Sequence, residues 1–344
     1  MPADFAPGSW AVILGGSSGF GLATAQLLAD HGMNLCVVHR DRRAQLARIE
    51  PALAKLRGSG VRVLIHNCDA LAPDKRTAVL DALGAELGKG RVRVLLHSIA
   101  FGNLKPLAPP ALPEASAQPE ASAQPEASAR PEAPARPAPP VCVPCDASAR
   151  LAHALDLDAE RVQRDVDELF AAGAAQLHSL ASAPRYAGTE LLDGDDFART
   201  IFNMGTSLLD WLRDLFERGL LAGDARVFGL TSEGNQVAWR GYAAVAAAKV
   251  ALEALARAIA VEFAPYGVRC NVIQAGVTET PALAAIPGSD HIKAHARLRN
   301  PFRRLTTPID VANVIYLLSL DEAAWVNGAV IRVDGGERIA GESA

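Results

Sequence analysis

Residues 10–32 read WAVILGGSSGFGLATAQLLADHG: five apolar residues in a row, a loop with four glycines in seven positions, then apolar residues at helical spacing. An apolar run this short that ends in glycine is a strand buried on both faces. Gly15, Gly19 and Gly21 permit a tight turn and close backbone approach, and with Ser17 and Ser18 they leave free N–H groups and a positive helix end aimed at a diphosphate. The order is GxxxGxG, not the commoner GxGxxG, and its place between a buried strand and a helix predicts a dinucleotide-binding turn.

Working outward, further strands are expected at residues 34–38, 61–67, 92–96, 226–231, 269–274 and 330–333. The second ends in His39-Arg40-Asp41-Arg42-Arg43, where an Arg suits a 2′-phosphate and an acid suits a free 2′-hydroxyl; the three arginines favour NADPH, and Asp41 leaves room for NADH. The third ends at Cys68-Asp69, the fourth at His97-Ser98-Ile99-Ala100-Phe101, the sixth in a polar loop at 275–281, and the last before Asp334-Gly335-Gly336. Alternating strands and helices predict an α/β, doubly wound parallel Rossmann sheet of about seven strands. It spans 8–340 as a single domain, with its ligand over the strand C-termini.

A low-complexity insertion after strand four interrupts this pattern. Segment 108–146 carries PEASAQ, PEASAQ, PEASAR and PEAPAR in succession, a composition that buries nothing and predicts an extended, disordered spacer. Cys142 and Cys145 follow as a CxxC without the second pair that structural zinc wants, so no metal is expected. Segment 155–194 reads as a helical insertion packed near the active site, with an apolar helical stripe between Leu157 and Leu180. A helix is expected at 197–215 and a last one at 309–318, and 282–304, broken by Gly, Pro and charge, looks like a mobile flap over substrate.

The net charge of −4 over 344 residues gives no basic stripe, which argues against a nucleic-acid partner. Lys249, Glu253 and Arg257 interrupt the most apolar long run, so no membrane span is expected. The N-terminus lacks a basic n-region and five cysteines suggest reduced thiols, so the expectation is a cytoplasmic protein.

Residues 230–263 read LTSEGNQVAWRGYAAVAAAKVALEALARAIAVEF, a strand end, a polar loop and a helix that bring Tyr242 and Lys249 into play. Seven residues make almost two helical turns, so a helix that already includes Tyr242 sets both side chains on one face. An ammonium beside a phenol favours the charged phenol, which predicts a Tyr242 acid with its pKa pulled down. Tyr and Lys at helical spacing also occur on ordinary helix faces.

Together these motifs resemble the short-chain dehydrogenase/reductase family everywhere except about 107–194. They are the GxxxGxG turn, Asp69, the Tyr/Lys pair, the AG-x-x-x-T loop after strand six and the terminal DGG. Most members space the pair as YxxxK. Here it is Tyr-x6-Lys, which moves the Tyr along the helix or into the loop before it and, like HSIAF, resembles the enoyl-acyl-carrier-protein reductase branch. The resemblance implies that Tyr242 is the acid or enolate hydrogen-bond donor and that Lys249 holds the nicotinamide ribose. It also implies that Gly15, Ser17, Ser18, Gly19 and Gly21 surround the diphosphate, that Arg40, Asp69, Ser98 and Ala100 line the adenosine side, and that Thr280 meets the nicotinamide end. Ser232 stands where many enoyl reductases carry a second Tyr, and it is equally compatible with carbonyl-reducing members. Asn203 falls near a helix Asn that serves a proton relay in those members, or is structural. The implied activity is NADPH-dependent reduction of a trans-2-enoyl thioester, on coenzyme A or an acyl-carrier protein, in fatty-acid or polyketide-type biosynthesis by a homodimer or homotetramer. A 3-ketoacyl or other carbonyl reductase, and a non-catalytic dinucleotide sensor, are the rival readings.

Overall fold

The computed structural model describes residues 4–109, 147–184 and 190–341. The repeats and the CxxC lie outside the described residues. Seven strands form one sheet: β1 (Ser9–Leu14), β2 (Asn34–His39), β3 (Val63–Asn67), β4 (Arg91–His97), β5 (Leu221–Ser232), β6 (Arg269–Ala275) and β7 (Val330–Val333). Their order is β3-β2-β1-β4-β5-β6-β7, and every pairing is parallel. The chain reverses direction across the sheet between β1 and β4, the crevice where doubly wound sheets bind ligands.

Helices cover both faces because the central strands are apolar on both. Along β1, Trp10, Val12 and Leu14 enter one core with Leu83 of α3 (Pro73–Leu87), Trp211 of α7 (Ser207–Glu217) and Leu252 of α8 (Ala243–Glu262). The intervening Ala11 and Ile13 enter the other, with Leu28 of α1 (Gly19–Asp30), Leu53 of α2 (Arg43–Arg57) and Ile315 of α11 (Pro308–Ser319). The period of two along the strand sorts the side chains between the layers.

β5 begins five residues before the expected 226–231, and three helical regions also differ from the sequence expectation. The helix expected at 197–215 is α6 (Gly194–Ile201) and α7 joined by a π-helical turn, Phe202–Thr206, that absorbs an extra residue. The stripe expected between Leu157 and Leu180 divides into α5 (Ala159–Ala171) and a 3-10 turn, Ala175–Leu177, and a further helix, α4 (Ala147–Ala154), precedes it. The segment expected as a broken flap contains a short α9 (Pro281–Ala284) and the eleven-residue α10 (Ser289–Arg299). The insertion packs on α10: the Phe170 and His291 rings lie 4.7 Å apart, and His291 Nε2 is 3.1 Å from the Ser182 carbonyl.

Candidate active site

At the end of β1, the Gly15 and Gly16 amides both donate to the Val38 carbonyl and close the turn. Gly15 has φ +84°, and a Cβ there would stand 2.4 Å from the Ser98 carbonyl oxygen; one on Gly21 would stand 2.2 Å from that of Gly15. Neither position accepts a side chain, so the turn packs backbone to backbone against the end of β4 and the start of α1. Ser18 caps α1 without a side-chain bond to it, and the first turn holds no acid. The loop fits an anionic diphosphate by this geometry. Gly19 faces the Thr280 side chain across the cleft, 3.5 Å from its would-be Cβ, so the loop after β6 reaches the glycine turn.

At the tips of β2 and β3, Arg40 donates to Asp69 at 2.9 Å and its guanidinium lies 4.1 Å from the Phe101 ring centre. Asp69 also accepts the Leu71 amide. The pair offers a cation, a carboxylate and an aromatic face at the expected adenosine end. The Ser98 amide donates to the Leu14 carbonyl, and Ala100 follows on the exposed edge.

Tyr242 is the residue before α8, with φ −108° and ψ 2°, and the helix starts at Ala243. It is therefore the loop option of the longer Tyr–Lys spacing that the structure adopts. The phenol oxygen lies 3.4 Å from the Ser232 hydroxyl, and the Trp239 ring stands edge-on to it at 5.3 Å. Lys249 is buried and donates from Nζ to the Leu230 carbonyl at 2.8 Å. Burial pulls its ammonium down to about 8 against the opposing field of Glu253. Burial raises the Tyr242 phenol above its ordinary value, the Ser232 hydrogen bond acting the other way, and Lys249 does not contribute. The expected downward pull is thus corrected: loss of hydration dominates a phenol this enclosed, and the lysine is spent on a carbonyl. The structure brings Ser232, Tyr242, Lys249, Ser98, Ala100 and Thr280 to one cavity of about 350 Å³. Apart from these its walls are chiefly apolar, including Phe20, Met204, Trp239, Val245, Leu283 and Ile292 of α10. Arg40, Asp69 and the serines of the glycine turn lie outside it. Among the described residues none of its walls comes from the insertion, which packs on the cavity-lining helix α10.

Asn203 sits in the π turn, where its amide donates to the Phe101 carbonyl at 3.3 Å. Beside that turn His97 is buried, within 2.9 Å of the Ser207 hydroxyl, and burial pushes its imidazole down to about 3, with Lys249 adding to the effect, so it is neutral. Sequence reasoning passed over Glu233, Arg299 and Glu337. Glu233 lines the cavity next to Ser232, and Arg299 bridges it to Glu337. TSEG announces an acid beside the serine, but nothing in the spacing announces its partners. Among the described residues no group of three or more His, Cys, Asp or Glu is arranged to hold a metal, and no helix is long and apolar enough to cross a membrane.

This parallel sheet, with a glycine turn at its switch point and a Tyr/Lys/Ser cluster over the strand ends, defines a nucleotide-dependent oxidoreductase of the α/β class. The family model described as enoyl-(acyl carrier protein) reductase matches residues 15–116 and 114–337, and the chain belongs to the short-chain dehydrogenase/reductase family, resembling its enoyl-acyl-carrier-protein reductase branch. It is 26% identical over 327 residues to cis-4-hydroxycyclohexanecarboxylate dehydrogenase of Sinomonas cyclohexanicum, covering 95% of each chain. The NADH-dependent enoyl-[acyl-carrier-protein] reductase FabI of Escherichia coli strain K12 is 36% identical over 123 residues, 36% of this chain and 47% of that protein. A Burkholderia cenocepacia short-chain dehydrogenase solved with NADP shares the fold at a TM-score of 0.61 and 18% identity, covering 96% of this chain and 98% of that one. Of these, FabI is named for NADH and the Burkholderia enzyme was solved with NADP.

Proposed function

We propose that the protein reduces trans-2-enoyl thioesters with NADPH. The observation that carries this reading is a buried phenol beside a second hydroxyl, Tyr242 and Ser232, at a chiefly apolar cavity. Gly15, Ser17, Ser18, Gly19 and Gly21 would hold the diphosphate, Arg40, Asp69, Ser98 and Ala100 the adenosine half, and Lys249 with Thr280 the nicotinamide half. When bound, the reduced nicotinamide supplies the hydride for the substrate β-carbon and is itself oxidised, while a solvent-derived proton completes the α-carbon.

The chain's part is to stabilise charge. Tyr242 donates its O–H to the thioester oxygen as enolate character develops there, and a preorganised donor in a water-poor cavity is worth far more than one in solution. Burial keeps that phenol protonated, which suits a donor that need not surrender its proton. Apolar walls suit an acyl chain and exclude water. The carrier, coenzyme A or an acyl-carrier protein, a dimeric or tetrameric assembly, and a cytoplasmic place in fatty-acid or polyketide-type biosynthesis belong to the same proposal.

A second reading, oxidation of a hydroxyl or reduction of a carbonyl, is favoured by the Ser232–Tyr242 pairing and by the full-length likeness to a hydroxy-acid dehydrogenase. The test is NADPH oxidation with crotonyl against acetoacetyl thioester. Faster turnover of the enoyl substrate is expected. Reduction of acetoacetyl thioester alone reverses the reaction assigned, and tight NADPH binding without turnover of any substrate favours a sensor.

A further inference from the structure

Arg299 ends α10, and its Nη2 donates to both carboxylate oxygens of Glu233 at 2.8 Å and to Glu337 at 3.0 Å. Glu337 also accepts the Val277 amide at 3.3 Å, and Val277 and Glu233 are both walls of the cavity. All three ionic groups are largely buried, with side-chain exposures of 12%, 12% and 2% for Arg299, Glu233 and Glu337. Without the guanidinium, Glu233 would be a carboxylate in an apolar cavity directly after Ser232, where it opposes any negative charge forming on a substrate oxygen.

We propose that Arg299 is a positioning residue for the reaction: it neutralises Glu233 and turns it toward Glu337, so that no unpaired carboxylate faces the oxygen that Tyr242 and Ser232 serve. This rests on the proposed reduction, but it holds for enoyl and carbonyl substrates alike, because charge gathers on oxygen in both. It makes α10 the strut between the insertion, which holds its first half, and the loop carrying Ser232.

A charge-balanced variant set in the full chain separates neutralisation from a mere tie between segments. Arg299→Gln is expected to lower kcat about ten- to thirtyfold, the scale of one uncompensated charge acting at protein-like screening, with KM changed less than about threefold. Arg299→Lys retains most of the activity. Glu233→Gln costs at least about fivefold less than Arg299→Gln, and the double variant recovers to the level of Glu233→Gln. A tie predicts the opposite: Glu233→Gln as damaging as Arg299→Gln, and a double variant no better than either. That result overturns the proposal.

A second readout needs no substrate. The oxidised nicotinamide ring is cationic and the reduced ring neutral, so an uncompensated Glu233 raises affinity for NADP⁺ relative to NADPH. The Kd ratio shifts about threefold or more in Arg299→Gln and returns in the double variant. If the wild type reduces neither thioester, the substrate reading fails, and an unmoved Kd ratio then overturns this inference separately.

Discussion

Gly21→Ala isolates the closeness of the glycine turn from its backbone conformation. Gly21 has no positive φ, so alanine meets no conformational penalty there, yet its Cβ would stand 2.2 Å from the Gly15 oxygen and 2.9 Å from the Gly15 carbon. Both are backbone atoms that no rotamer change can move, and reaching van der Waals contact requires a displacement of about 1 Å or more. Overpacking of this kind costs about 1–3 kcal/mol, and a backbone clash belongs at the upper end. At roughly 2–4 °C per kcal/mol for a domain this large, the melting temperature falls by about 6–12 °C. The same displacement misaims the amides of the turn. Losing one or two charge-assisted bonds, each worth about 1.5–3 kcal/mol, weakens NADPH by about tenfold or more. Two controls bracket the effect. Gly60→Ala tests φ +85° with nothing within 4 Å, so strain alone costs about 1–2 kcal/mol. Gly194→Ala, in a helix with open space and no positive φ, is neutral or stabilising by up to about 1 kcal/mol. Calorimetry and fluorescence titration of all three decide the matter: a Gly21→Ala protein that melts and binds NADPH like Gly194→Ala refutes the close-approach argument.

Tyr242→Phe should leave the NADPH Kd within about threefold and lower kcat about a hundredfold or more, since it deletes only the donor to substrate oxygen; its 3.4 Å bond to Ser232 is long enough that melting should barely move. Arg40→Asp sets a carboxylate beside Asp69 and should raise the KM for NADPH about tenfold while sparing NADH; a wild type that already prefers NADH would void this assignment of Arg40. The lowered Lys249 pKa gives a pH prediction with a definite sign. If the protonated amine is the form that holds the ribose, NADPH affinity is full below about 8 and declines as pH rises through that value. Titrations from neutral to alkaline pH should show the decline in the wild type and a flat profile in Lys249→Met.

The central strands were legible because they are buried on both faces, which writes a continuous apolar run such as WAVIL or NLCVV into the chain. Periodicity fared worse where burial is thin. Helix α10, HIKAHARLR in its middle and end, buries Ala294 and Ala296 against neighbours and carries no wide apolar stripe, so glycine, proline and charge dominated its reading. The π turn was hidden for a different reason: one additional residue in a helix leaves the apolar stripes on either side intact and only rotates one against the other. The Arg299 bridge spans 66 residues to Glu233 and 38 to Glu337, separations that local pattern cannot relate.

The Tyr/Lys pair shows where local spacing stops and tertiary packing takes over. Its residue types and its seven-residue separation were in the sequence, but they allowed Tyr242 either a place on the helix or one in the loop before it. What selects the loop is the neighbourhood of the ring. A Cβ on Gly234 would lie 2.4 Å from the Tyr242 ring, so only glycine lets the phenol pack flush against the loop after β5, and Trp239 closes another side. That loop is tied to α8 by Glu253, which accepts from both Thr231 and Asn235 at 2.6 Å. The phenol is therefore positioned by the strand-end loop that also carries Ser232 and Glu233, and Lys249 by the helix. The bonds from Glu253 and Arg299 to that loop, with the Ala246 amide donating to the Tyr242 carbonyl at 2.8 Å, hold the two halves of the pair in one arrangement.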